Sequence, residues 1–120
     1  MTDLRYLKDD HVHMLMLSGH AGYAQEGADI VCAGISAVTY TLMGYLENLK
    51  AEGAQVISRQ DSGDVTIVCL RHQKADTAFE MAMIGYMQIA KKYPDNLTIH
   101  ISTSGGDSRE QTVNDSRERP

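Results

Sequence analysis

The stretch DIVCAGISAVTYTLMGYLENLKAE, residues 29–52, decides the fold. Val31, Ile35, Val38, Leu42, Tyr45 and Leu49 recur at alternating spacings of four and three, the apolar stripe of a helix that faces a core. Asp29 is a favoured N-cap type, Lys50 suits the last turn, and Gly53 stops the helix just beyond. A helix of this length is the spine of a small domain, and the flanking segments must cover its stripe.

Upstream, Leu4 to Lys8 alternates as a short strand that ends at Asp9-Asp10. His11 to Ser18 reads as a second strand, with Val12, Met14 and Met16 on one face and His13, Leu15 and Leu17 on the other. Downstream, Ala54 to Arg59 and Val65 to Arg71 flank Gln60-Asp61-Ser62-Gly63-Asp64, which has hairpin-turn chemistry. A second helix starts near Asp76 or Thr77, where Thr77 and Glu80 have capping-box spacing, and ends before Pro94. Leu97 to Thr103 is a last strand. The order β-β-α-β-β-α-β predicts an α+β fold, with two helices packed on one face of a mostly antiparallel sheet in a single domain over residues 1–104. Residues 105–120 carry Val113 as their one apolar side chain and read as a disordered polar tail.

The chain has 120 residues, 11 Lys and Arg against 16 Asp and Glu, and a net charge of −5. That balance argues against direct nucleic-acid binding or an anionic membrane partner, since both need a basic face. No unbroken apolar run suggests a membrane span, and the start, Met1-Thr2-Asp3-Leu4-Arg5, lacks the pattern of a signal peptide. The expected location is the cytoplasm, where thiols stay reduced.

Two cysteines, Cys32 and Cys69, have neither CxxC nor zinc-ribbon spacing. Cys69 alternates with Val65 and Ile67 and reads as a buried, inert thiol. His11 and His13 share a strand face, where a solvated surface is the simpler reading than a metal site, and His72 and His100 read as structural. The methionines 14, 16, 43, 81, 83 and 87 suit a core or a dimer interface. No cofactor or metal is implied.

The chemistry concentrates in residues 19–36, where Gly19-His20 closes a strand, a Gly- and Ala-rich loop follows, and Cys32 enters the helix. With Asp29 as N-cap, Cys32 falls at the third helical position, among the unpaired N–H groups at the positive end of the dipole. Those conditions favour a thiolate and could serve an oxyanion, with His20 as the base. Ser36 lies one turn beyond Cys32, while Gly22 and Gly27 allow loop movement or close approach of a ligand. The alternative is core packing for Cys32, the commoner use of a cysteine on an amphipathic helix, and a plain helix cap for Asp29.

Gly19-His20-Ala21, Gly27, Asp29-Ile30-Val31-Cys32-Ala33, Gly34 and Ser36 together resemble the signature of the bacterial ribosomal-processing cysteine proteases, the Prp family. The resemblance extends over roughly residues 4–104, with two departures: the short opening strand and the long tail. It implies a homodimeric cytoplasmic protease that removes the N-terminal extension of the large-subunit ribosomal protein twenty-seven during ribosome assembly. It assigns catalysis to Cys32 and His20 and supporting roles to Asp29, Ser36 and Gly19. Gly22, Tyr23 and Gly27 then belong to a flexible loop and a groove for an extended apolar peptide. A non-catalytic ribosome-associated peptide-binding module and a redox-sensing Cys32 resolved by Cys69 are the rival readings.

Overall fold

The computed structural model describes residues 1–19, 26–61, 63–104 and 109–112. Its elements are β1 (Thr2–Lys8), β2 (Val12–Gly19), α1 (Glu26–Ala51), β3 (Val56–Asp61), β4 (Asp64–Leu70), α2 (Gln73–Lys92), β5 (Leu97–Thr103) and β6 (Arg109–Thr112). The sheet order is β3-β4-β2-β1-β5-β6, and only β1 and β5 run parallel. The expected α+β architecture is therefore present.

Strand alternation explains why only one face is covered. Leu4 and Tyr6, His13, Leu15 and Leu17, Val65, Ile67 and Cys69, and Leu97 and Ile99 are all buried, and both helices pack over them. Arg5, Met16, Ile57 and Leu70 stand on the open face. The buried stripe of α1 runs through Val31, Ile35, Thr39, Leu42, Leu46 and Leu49 rather than through Val38 and Tyr45. Polar Thr39 hides this phase in the sequence. Its hydroxyl is nonetheless satisfied inside, within hydrogen-bond reach of the Ile35 carbonyl (2.7 Å) and Tyr86 Oη (2.6 Å). The two helices approach closely where Gly85 faces Val38, since a Cβ there would lie 3.2 Å from a Val38 methyl.

Ile30–Ala51, with mean hydropathy 1.3, is long and apolar enough by composition to cross a membrane, which corrects the expectation that no such stretch exists. A hydropathy average tolerates the Thr, Ser and Gly residues that interrupt an apolar run. Leu42, Leu46 and Leu49 are buried against the rest of the domain.

Strand ends shift from expectation by one or two residues, β1 reaching back to Thr2, and three departures are larger. α2 begins at Gln73, because the His72 side chain caps it by accepting from the Lys74 N–H at 3.1 Å; Thr77 is therefore inside the helix. α1 begins at Glu26, three residues before Asp29. Within the tail expected to be disordered, residues 109–112 form β6, an antiparallel edge strand on β5. Ladder bonds to an open strand edge need backbone groups rather than apolar side chains, so polarity concealed this strand.

His13 is wholly buried, contrary to the solvated face expected of it. Its ring stacks on Phe79 at 4.3 Å between centroids. Tyr6 Oη lies 2.7 Å from its Nδ1 and Asp76 Oδ1 lies 2.5 Å from its Nε2. A carboxylate only accepts, so Nε2 carries the proton and Nδ1 accepts from tyrosine. Arg71 completes the chain with two bonds of 2.9 Å to Asp76 and one of 2.8 Å to the Asp9 carbonyl. The Arg71 guanidinium, with His13, holds the Asp76 carboxyl well below the usual carboxylate range. Burial pushes His13 below its ordinary 6.5, partly offset by the bond to Asp76.

The sign for stability follows from linkage. Below 6.5 the unfolded chain takes up a proton that native His13 resists, so stability falls as pH drops through that value. Asp76 adds a further loss only at more acid pH, below its ordinary 3.8. Urea unfolding of wild type is expected to lose stability between about pH 7 and pH 5. His13→Gln is expected to remove that part of the slope while lowering stability at pH 7 by about 2 kcal/mol.

Candidate functional site

Gly19 ends β2 opposite Thr2, in a left-handed conformation with φ of 84°. A Cβ at this position would come within 2.6 Å of the Met1 carbonyl oxygen, which leaves glycine as the residue that fits. The motif glycine thus closes a strand against the chain's first residues. His20, Gly22 and Tyr23 lie outside the described residues.

The early start of α1 changes the reading of its first turn. Glu-Gly-Ala at 26–28 continues the helical phase, and glutamate and alanine are good helix formers that outweigh one glycine. Gly27 and Asp29 therefore belong to the backbone of the first turn, so the expected N-cap role of Asp29 is corrected. Cys32 lies in the second turn, not at the third helical position. Its own N–H belongs to the intrahelical ladder rather than to the unpaired set, which removes it as an oxyanion donor. The dipole also acts mainly within the first turn, and Cys32 lies beyond it.

Cys32 is half-buried, and together with Ser36 it opens onto a cavity of about 250 Å³. Ile35, Thr39 and Tyr40 continue the α1 wall; Thr2, Leu17 and Gly19 come from β1 and β2; Gln60, Gly63 and Val65 come from the β3–β4 hairpin. Gln60 Nε2 donates to Tyr40 Oη at 3.5 Å, linking helix and hairpin across the rim. The structure thus brings together three residues singled out from the sequence, Gly19, Cys32 and Ser36. Tyr40 was not singled out, although it continues the row 32, 36, 40 along one helix side. Gln60 and Gly63 read in the sequence only as hairpin-turn residues, because it is the hairpin's register that delivers them to this cavity.

A larger apolar groove of about 530 Å³ lies between α1 and α2, lined by Val38, Tyr45, Ala78, Met81 and neighbours. Its lining holds no cysteine, histidine or carboxylate, whereas the smaller cavity holds Cys32. Cys69 is fully buried on β4, its Sγ 3.3 Å from the Leu70 carbonyl, and burial pushes its thiol pKa up. Val65, which lines the Cys32 cavity, is four residues from Cys69 along the strand, about 13 Å. Both cysteines are free thiols, and Cys69 is enclosed on β4 while Cys32 opens onto the cavity. Both ring nitrogens of His13 are occupied, so a metal site shared with His11 is also excluded.

Residues 1–98 match the family model described as cysteine protease Prp. The ribosomal processing cysteine protease Prp of Bacillus subtilis is 26% identical over 102 residues, covering 80% of this chain and 91% of that protein. Its Staphylococcus aureus counterpart is 24% identical over 101 residues, covering 82% and 95%. Among solved structures, a Streptococcus mutans protein has a TM-score of 0.69 at 26% identity, covering 87% of this chain and 96% of that one. The S. aureus protease Prp with a covalently linked product peptide has a TM-score of 0.73 at 22% identity, covering 84% and 99%.

The two thiols differ in access. Brief native treatment with iodoacetamide, read by mass spectrometry, is expected to label Cys32 at least about ten times faster than Cys69. Equal labelling would contradict an open cavity at Cys32 and an enclosed Cys69.

Proposed function

Because the chain belongs to the cysteine protease Prp family, we propose that it removes the N-terminal extension of the large-subunit ribosomal protein twenty-seven, in the cytoplasm, with Cys32 as nucleophile and His20 as acid and base. The observation that carries this reading is the shared cavity. Cys32 and Ser36 open onto the space that Gly19, the residue before His20 in the chain, also lines.

The chemistry is acyl transfer. His20 takes the Cys32 thiol proton, and the sulfur attacks the scissile carbonyl to form a tetrahedral oxyanion. Collapse breaks the C–N bond as His20 protonates the leaving amine, leaving a thioester on Cys32. Water, deprotonated by His20, then releases the new carboxyl terminus and restores the thiol. Ser36, one turn from Cys32, and Asp29 would orient the imidazole. Neither is a nucleophile in this scheme, and the steps use no metal or cofactor.

Cys32→Ala is expected to abolish cleavage of a peptide spanning the junction of the ribosomal protein's extension, while the peptide still binds. Chromatography with mass detection measures the first and fluorescence anisotropy the second. Cleavage by Cys32→Ala at the wild-type rate would end the protease assignment for this thiol.

The proposal includes a homodimer. Its support is the apolar groove between the helices, where Met81 is 68% and Tyr45 42% exposed. Light scattering is expected to give twice the chain mass for wild type and the single-chain mass for Met81→Glu, since a buried unpaired carboxylate opposes association. A wild-type monomer would remove the dimer from the proposal.

A further inference from the structure

β3 is the marginal strand of the sheet, paired with β4 on one side and with no strand on the other among the described residues. Its register shows which backbone groups face that open side. The Leu70 N–H donates to the Gln55 carbonyl at 3.0 Å, so Gln55 and Leu70 form a hydrogen-bonded pair. Along the unbroken antiparallel register, bonded and non-bonded pairs alternate: Ile57↔Val68 and Arg59↔Thr66 are bonded, while Val56↔Cys69, Ser58↔Ile67 and Gln60↔Val65 are not. The N–H and C=O groups of Val56, Ser58 and Gln60 therefore point away from β4, to the margin. They span about 13 Å of strand, and no proline interrupts them.

This margin leads into the Cys32 cavity. Gln60 lines the cavity and bonds to Tyr40, and Cys32, Ser36 and Tyr40 form the row on α1 that faces it. The helix row carrying the thiol and the strand margin carrying outward backbone groups thus meet at Gln60, which belongs to the margin and lines the cavity. We infer that the enzyme holds its peptide substrate as an added β-strand along β3, bonded to the backbone of Ser58 and Gln60, with the scissile carbonyl delivered past Tyr40 to Cys32.

This inference rests on the protease reading and specifies how that site recognises its substrate. Backbone pairing recognises an extended chain whatever its side chains, and the strand period then sends alternate substrate side chains to opposite faces. One set meets Tyr40 and the α1 row; the other meets the outer face, where Ile57 is 70% exposed. Continuity of the margin with the thiol cavity favours substrate over a second copy of the chain as the occupant.

The test is a backbone N-methyl scan of the junction peptide, read both as cleavage by wild type and as binding to Cys32→Ala. Every second residue on one side of the scissile bond is expected to lose about five- to ten-fold in kcat/KM and in affinity, with the intervening residues little changed. Sensitivity without a period of two overturns the added strand. Ser58→Pro removes one outward N–H while leaving the bonded pairs with β4 intact. It is expected to raise KM about five- to ten-fold, with thermal unfolding confirming the fold. An unchanged KM in folded Ser58→Pro overturns the inference, as does a change in its sedimentation mass with peptide affinity intact, which would make the margin a contact between copies. Should that variant fail to fold, the scan on wild type decides alone. A peptide bound with the alternating pattern but never cut would sink the protease reading only; one cut without the pattern would sink the strand only. A peptide neither cut nor bound overturns both.

Discussion

The hydrogen-bonded chain from buried Tyr6 and His13 to half-buried Asp76 and Arg71 holds three elements and the β4–α2 connection in one arrangement. Tyr6 stands on β1 and His13 on β2, Asp76 on the first turn of α2, and Arg71 between β4 and α2. Each polar group in it has a partner, and no buried side-chain nitrogen or oxygen among the described residues lacks one. Such a chain is costly when broken, because each orphaned group would keep its desolvation penalty without its hydrogen bond. It ties the first turn of α2, which His72 caps, to β1 and β2. Phe79, one turn after Asp76, stacks on the same imidazole and ties this polar cluster to the apolar core.

The thiol cavity lies toward the other end of the same strands. β2 carries His13 near its start and Gly19 at its end; β4 carries Cys69 opposite His13 and Val65 opposite Leu17. One end of the sheet is thus closed by a satisfied polar network, while the other end opens between α1 and the β3–β4 hairpin. This division suits catalysis on a small scaffold, since a rigid sheet positions the groups that must contact a substrate. It also separates the two cysteines by environment: Cys69 belongs to the closed region and Cys32 to the open one.

Much of the architecture was legible in the residues. Alternation marked both faces of β2, turn chemistry at Asp61-Ser62-Gly63-Asp64 marked a hairpin, and Leu97–Thr103 has the boundaries its pattern predicts. Local patterns misled where a polar group was buried or a cap was atypical. Thr39 takes a core position that Val38 seemed to fill, His13 carries a ring that reads as solvated, and His72 replaces the capping box at Thr77. In each case a partner distant in sequence, or an unusual capping side chain, reversed the local preference.

The sequence by itself determined the types of the elements from β1 to β5, the one-sided core and the motif that places Cys32 on a helix after Gly19. These follow from short-range periodicity and from backbone conformations that only certain residues adopt. Only the tertiary structure decided the register. It moved Cys32 from the third helical position to the second turn, brought Gln60 and Gly63 of the β3–β4 hairpin to the thiol cavity, and left the outward groups of Ser58 and Gln60 at the sheet margin. Strand pairing joins residues far apart in the chain through backbone groups that every residue carries, so side-chain patterns hold little record of it.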